Sequence, residues 1–446
     1  SPLKGPSRPL HTSDFGPPLA GIFLYSNMLL CLALLRFSHY VFSFMTAQTS
    51  TSASLNILFC ALLATAIGQS VMLTTLPSLG REAGLGEFHI ATIMSSSALI
   101  FAFGTSFWSR VAKKRGYRRI LMVGLAGYSA GTLAFAGMWS LGFSGVLSGS
   151  VLFIALLVSR SLQSTIMSAS PPSAVGYAIA ISANAKRVGA ISRVTSANNV
   201  GQLVGPVFAG VLVSFSLVFP LYCVVIFTLI ALFLVWWKLP NINHPSVTTA
   251  NKGNASAAAK TNKGITLVLV LTCASLFCAM AMMQQTLGFF FIDHYHLTPV
   301  QSAQQVGIAM MLSASTALAI QLLIVQKHRI SADGMIPLAL LCLTLAYFVM
   351  YVHQHMMLLY AAMLLMGAGM GLGYPSLAAA ATQYCKPGNQ AQVTGYITAT
   401  PAMGYIMGPP VAAMLYQKNI HYPFLAASVL LAGFLILVSY FLLRNK

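Results

Sequence analysis

The sequence predicts an all-α membrane protein built as two pseudo-symmetric six-helix bundles. Three observations carry that prediction. The 446 residues are 57% hydrophobic and 7% charged, with a mean hydropathy of +0.79, whereas a soluble globular domain carries about 25% charged residues. Twelve apolar segments approach the roughly 20 residues a helix needs to cross a bilayer, and they lack the ~10-residue alternation of barrel strands. A glycine–proline pattern, Gly201-Gln-Leu-Val-Gly205-Pro206-Val-Phe-Ala-Gly210, returns 203 residues later as Gly404-Tyr-Ile-Met-Gly408-Pro409-Pro410.

Residues 1–16 are polar and proline-rich, with Lys4 and Arg8, and an apolar stretch from Pro18 to Phe44 follows, interrupted by Arg36 and His39. A spanning helix here would put Lys4 and Arg8 outside, against the positive-inside tendency. No clear small-residue cleavage site marks a signal peptide. Met45-Thr-Ala-Gln-Thr-Ser-Thr-Ser-Ala reads as a short cytoplasmic N-terminus. Residues 1–44 are therefore expected to be an upstream extension, with one extra hydrophobic segment as the alternative.

The first six segments lie near 55–78, 88–110, 119–139, 145–176, 190–213 and 217–238. The other six lie near 265–292, 302–325, 335–352, 356–382, 392–416 and 422–443. Between them Pro240 to Lys263, rich in Asn, Ser, Thr, Ala and Lys, reads as a flexible linker. The expected domains are an extension at 1–54, a bundle at 55–238, a linker at 239–264 and a bundle at 265–446.

Basic residues gather in alternate loops. The loop after the second segment holds Arg110, Lys113, Lys114, Arg115, Arg118 and Arg119, and the loop after the fourth holds Lys186, Arg187 and Arg193. The linker holds Lys238, Lys252, Lys260 and Lys263; Lys327, Arg329, Lys386, Arg444 and Lys446 follow. The loops between hold only Arg81 and Lys418 as basic residues, beside Glu82, Glu87 and Asp293. Both ends of the core should thus be cytoplasmic, in the inner (plasma) membrane. The net charge of +19, from 24 Lys and Arg against 5 Asp and Glu, is topological on this reading. No soluble basic domain offers a nucleic-acid surface.

In water each glycine of the repeated pattern would cost about 1 kcal/mol against alanine. In a membrane a bare helix face lets a neighbour approach closely, and neighbouring groups satisfy the backbone freed by proline. Pro172 and Pro375 are also 203 residues apart. Phe59-Cys60-Ala61 and Gly68-Gln69-Ser70 are echoed by Phe277-Cys278-Ala279 and Gln284-Gln285-Thr286, at offsets of 218 and 216. Two six-helix halves fit a carrier that rocks around a midplane site.

From about Leu55 to Lys446 the chain resembles the major facilitator superfamily, in its twelve-helix drug:proton antiporter type. Gly201, Gly205, Pro206 and Gly210 resemble the antiporter motif of the family's fifth helix, which implies a bend and a tight helix contact sealing the site against leakage. Gly404, Gly408 and Pro409 form its copy. Trp108-Ser109-Arg110-Val111-Ala112-Lys113-Lys114-Arg115-Gly116-Tyr117-Arg118-Arg119 resembles the family's loop between helices two and three. Gly116, Arg118 and Arg119 match it. Ser109 replaces a glycine, and Lys113 replaces an aspartate of the charge network that latches the outward-open state. The basic residues here would then turn to helix carbonyl ends or lipid phosphates. Leu157-Val158-Ser159-Arg160-Ser161-Leu162-Gln163 resembles the family's fourth-helix pattern, whose arginine is implicated in proton coupling; Ser164 departs from the glycine that usually follows.

A charge in the membrane is costly and faces the protein interior, so Arg160 is the first coupling candidate, as a coupling residue or as an internal tie between helices. Asp293 and His89 are the others; either also reads as an ordinary loop residue. Gln69, Ser70, Gln163, Gln284, Gln285 and Thr286 are the substrate-cavity candidates, since unpaired amides in hydrocarbon must face the interior or one another. Met282, Met283, Phe289 and Phe290 offer an adaptable apolar wall or plain packing. The seven cysteines lack zinc-ligand spacing. No metal, cofactor or enzyme activity is implied, and a monomer is expected. The function expected is export of small amphipathic compounds by alternating access in exchange for protons. Two alternatives are export of one dedicated metabolite, such as a siderophore with Arg160 on its anionic group, and uptake or uniport.

Overall fold

The computed structural model describes residues 50–183, 187–241, 263–325, 332–384 and 390–444. Residues 1–44, most of the linker, Lys186, Lys327, Arg329 and Lys386 lie outside them, as does the side chain of Asp333. Ile57–Lys446 forms one compact unit. Of the separate unit Ser1–Asn56, only the first residues of one helix are described.

Twelve helices follow one another, with no strand among the described residues. They are α1 (Ser50–Glu82), α2 (Glu87–Arg115), α3 (Tyr117–Phe143), α4 (Gly149–Ile181), α5 (Arg187–Leu212) and α6 (Phe219–Lys238). Then come α7 (Lys263–Tyr295), α8 (Pro299–Val325, its last turn a π-helix), α9 (Ala332–Val352), α10 (Met356–Gln383), α11 (Gln390–Lys418) and α12 (Tyr422–Arg444). Each of the twelve expected segments is a helix. Ten are long and apolar enough to cross a membrane. The exceptions are α5 and α11, the two that carry the repeated glycine–proline pattern among polar residues such as Asn198, Asn199 and Thr398.

Local chemistry sets several boundaries. Gly116 separates α2 from α3 at φ +97°, a left-handed backbone that favours glycine, and its N–H caps the Ala112 carbonyl at 2.9 Å. Thr298 and Gln301 form a reciprocal capping box at the start of α8, with Pro299 in its first turn. The span α4 breaks at Ser168–Ala169 into Gly149–Met167 and Ser170–Ile181. Pro171 and Pro172 follow the break, and neither has an N–H to give to the preceding turn. The lone Pro375 leaves α10 continuous.

Helices α2, α3, α4 and α6 pack chiefly within the first set and α7 to α12 chiefly on one another, whereas α5 packs most on α8 of the second set. Contacts between the two sets run along α2 and α11, α5 and α8, and α2 and α7. The repeated motif packs the same way twice. A Cβ built on Gly201 or Gly205 of α5 would run into Ala66, Ile67 and Ser70 of α1, and one on Gly404 or Gly408 of α11 into Phe277, Cys278 and Ala281 of α7. These contacts correct the register of the repeat. Ile67 matches Cys278 and Ser70 matches Ala281, both at an offset of 211. Gln69 and Gln285 are therefore not equivalent; Gln285 lies five residues, more than one helical turn, further along its helix. The Phe-Cys-Ala and Gln-containing echoes at 218 and 216 arose from local composition.

Candidate functional site

A buried polar cluster lies midway along α1, α3 and α4. Arg160 is 7% exposed, the only Lys, Arg, Asp or Glu buried to this degree among the described residues. Its Nη1 donates to Gln163 Oε1 at 2.5 Å and its Nη2 to Gln69 Oε1 at 2.8 Å. Gln163 Nε2 then donates to Thr132 Oγ1 at 2.6 Å, and Gln69 Nε2 reaches Met167 Sδ at 2.8 Å. The three-residue spacing of Arg160 and Gln163 on α4 puts them on one face, and α1 brings Gln69 to it. Three of the predicted residues are thus assembled. Thr132 and Met167 were not singled out from sequence, although Ser129 and Thr132 are polar in an otherwise apolar helix.

The second-half candidates separate. Gln284 Oε1 accepts from Tyr405 Oη at 2.6 Å. Gln285 Nε2 donates to the Glu87 carbonyl at 3.3 Å, across the two helix sets. Thr286 is fully buried and donates to Met282 of its own helix at 2.9 Å. Ser70 stands in the seam against Gly205. None of these four has a hydrogen bond to the Arg160 cluster among the contacts described. Met282, Met283, Phe289 and Phe290 are buried.

A second cluster closes the rim remote from the basic loops. Arg81, at the end of α1, pairs with Asp293 of α7 and lies 2.7 Å from Glu87 at the start of α2. Tyr416 Oη donates to Asp293 Oδ2 at 2.9 Å, and the Arg81 guanidinium lies 5.1 Å from the Phe289 ring centre. Further contacts join the two sets toward the same end. Ser95 Oγ donates to the Tyr405 carbonyl at 3.4 Å and Gln304 Nε2 to Ser214 Oγ at 2.9 Å. Gly307 of α8 faces the Pro206 carbonyl and Gly210 of α5. Arg81 was read from sequence only as a loop charge. Its company of three acids confined to the same loops was the signal for a rim ion-pair cluster. His89 lies apart from these partners, its ring edge-on to Phe153 at 4.8 Å.

Beside Asp293, the rings of His294, His353 and His421 surround Phe290 at centre distances of 4.8, 5.3 and 5.2 Å. Burial pushes His353, in the loop after α9, down to about 4; neighbouring His294 and His421 act the same way, against its bond to the Met350 carbonyl. His421, in the loop before α12, is also lowered, first by burial. Among the described residues, no three His, Cys, Asp or Glu side chains are placed to hold a metal ion.

At the opposite end, Arg118 caps the carbonyl end of α6. It donates to the Trp236 carbonyl at 2.5 Å and to Asn241 Oδ1 at 2.9 Å. Arg110, Lys113 and Lys114, in the last turns of α2, and Arg119, in the first turn of α3, are exposed beside it.

Twelve helices in two sets, ten of them long and apolar enough to cross a membrane, with a buried charge inside the first set and an ion-paired rim across the two, fit a polytopic membrane transporter. The family model described as Major Facilitator Superfamily matches residues 58–397 and 329–446, and the chain belongs to that superfamily. No curated protein matches the chain. Solved structures agree in fold. A bacterial homologue of the human lysosomal transporter Spinster, inward-facing and occupied, shares 13% identity over 90% of this chain and 99% of its own, with a TM-score of 0.68. A nucleoside transporter shares 14% over 88% and 99%, with a TM-score of 0.67. A peptide transporter in complex with sulfate shares 15% over 87% and 95%, with a TM-score of 0.63.

Proposed function

We propose that the protein exports small amphipathic compounds by alternating access in exchange for protons. The observation that carries this reading is the rim cluster above the buried Arg160. Two carboxylates, Glu87 and Asp293, share one guanidinium, Arg81. The trio carries one net negative charge. It can take one proton on Asp293 while Arg81 stays with Glu87, or open across the two helix sets by parting Arg81 from Asp293. A guanidinium keeps its proton in the working range, so Arg160 would act by exchanging partners. His89, apart from both clusters, is the weaker candidate.

On this reading residues 55–238 and 265–446 are the moving bundles, both core termini are cytoplasmic, the membrane is the inner (plasma) membrane and the carrier works as a monomer. The rim is then the outer gate, closed in this structure. The test is flux in proteoliposomes under an imposed pH gradient, with a panel of neutral, cationic and anionic amphipathic compounds. Gradient-driven movement of part of the panel is expected. Flux indifferent to the gradient would replace exchange by uniport, and absence of flux for every compound would remove the reading.

A further inference from the structure

Among the described residues Arg160 has no counter-charge. Both of its recorded hydrogen bonds end on neutral amide oxygens, Gln163 Oε1 and Gln69 Oε1. The chain has five acids, Asp14, Glu82, Glu87, Asp293 and Asp333. The three whose side chains are described stand at the rim, beyond reach of a group midway along α4. A buried charge answered only by dipoles is costly, and a paired one much less so.

The groups around Arg160 are also poised to give. Gln69 spends its amide N–H on the Met167 thioether, a weak acceptor. Tyr128, fully buried on α3 one turn before Thr132, lays its hydroxyl against Gly68 of α1, the residue before Gln69. An arriving anion could take an Arg160 N–H from Gln69 Oε1 and accept from the Gln69 amide as it turns. Only an amide bond and a thioether contact are given up, and a charge-assisted bond replaces them. A cation at the same place would meet like charge in a medium that screens poorly.

We propose that the Arg160 cluster binds the anionic head, carboxylate or sulfonate, of an amphipathic organic acid, and that this is the substrate class of the transporter. The assignment rests on the transport reading above and narrows it. Arg160 and Gln69 hold the head, and Gln163 with Thr132 positions Arg160.

The test uses the full chain purified in detergent and three probes of one shape: 2-naphthoate, 2-naphthamide and 2-naphthylmethylammonium. Affinities are measured by calorimetry. The unsubstituted protein should bind naphthoate at least about tenfold more tightly than the ammonium probe, the size of one charge-assisted contact. Arg160→Gln should abolish that preference, while Arg160→Lys should keep part of it. Equal binding of the anionic and cationic probes by the unsubstituted protein overturns the proposal without any variant. So does a preference that survives Arg160→Gln, or equal competition by inorganic phosphate. Proteoliposome flux separates the two readings. Movement of neutral or cationic compounds without naphthoate preference leaves the transporter and removes the anion site. Preferential naphthoate binding without flux of any compound does the reverse.

Discussion

Gly205 of α5 lies flush against Ser70 of α1. A methyl group at Gly205 would come within 2.8 Å of Ser70 Oγ and 3.1 Å of the Ile67 carbonyl oxygen. Gly205→Ala should cost about 1–3 kcal/mol by overpacking, and Gly205→Leu should abolish transport. The closest obstacles belong to one small side chain, so Ser70→Gly should recover most of the Gly205→Ala loss. Gly201→Ala is different, because its methyl meets not only the Ala66 Cβ but also backbone atoms of Ala66 and Ile67 at 2.9 Å. Ala66→Gly should rescue that variant poorly. Thermal unfolding in detergent compares the two pairs, and equal rescue in both would contradict the geometry.

The fold was legible because lipid simplifies it: apolar length gives the helices, loop charge their alternation, and glycine spacing the packed faces. Gly201, Gly205 and their copies at Gly404 and Gly408 went where a bare face has to go. Arg160 with Gln163 was legible from three-residue helical spacing. What escaped depends on register between helices distant in sequence. Gln284, Gln285 and Thr286 resembled Gly68-Gln69-Ser70 in composition, yet a difference of five residues in offset, 216 against 211, puts Gln285, the echo of Gln69, more than a turn beyond it. Arg81 and Asp293 are 212 residues apart in the chain, and no local pattern joins them.

Arg118 holds the end of α6 through the Trp236 carbonyl and Asn241. This answers the absence of an aspartate at Lys113: the loop is tied to helix carbonyls. Arg118→Ala should lower stability by about 1 kcal/mol, less than a buried charged bond because the site is partly exposed. Arg118→Lys should recover only part of that, since a single ammonium cannot span both acceptors as a fork does. Lys113→Ala, an exposed neighbour, should leave the unfolding temperature unchanged. A similar shift in all three would show that the loop acts through net charge.

Asp293 and Glu87 share Arg81 but differ in what they hold. Asp293 joins α7 to α1 and also accepts from Tyr416, whereas Glu87 pairs with Arg81 within the first helix set. Asp293→Asn should therefore loosen the rim and abolish gradient-driven uphill flux while downhill flux persists. Glu87→Gln should weaken transport less, because Arg81 keeps its partner across the sets. Paired flux measurements with and without an imposed pH gradient check this. Full uphill flux in Asp293→Asn would remove Asp293 from coupling.

His353 gives the rim an acid limit to its stability. Its ring is packed with Phe290, His294 and His421, and its Nδ1 lies 2.6 Å from the Met350 carbonyl, leaving Nε2 buried and without a partner. Burial holds it neutral by lowering it from the ordinary 6.5 to about 4. Between those values the unfolded chain binds more protons than the fold, so stability falls as pH drops through that window and is unaffected above it. His421, lowered by the same main cause, adds to the fall. His353→Asn keeps an N–H for the Met350 carbonyl and cannot take the proton. Unfolding temperature measured from pH 7.5 to 4.5 should drop less steeply in that variant than in the parent, and parallel curves would assign the acid limit to other groups.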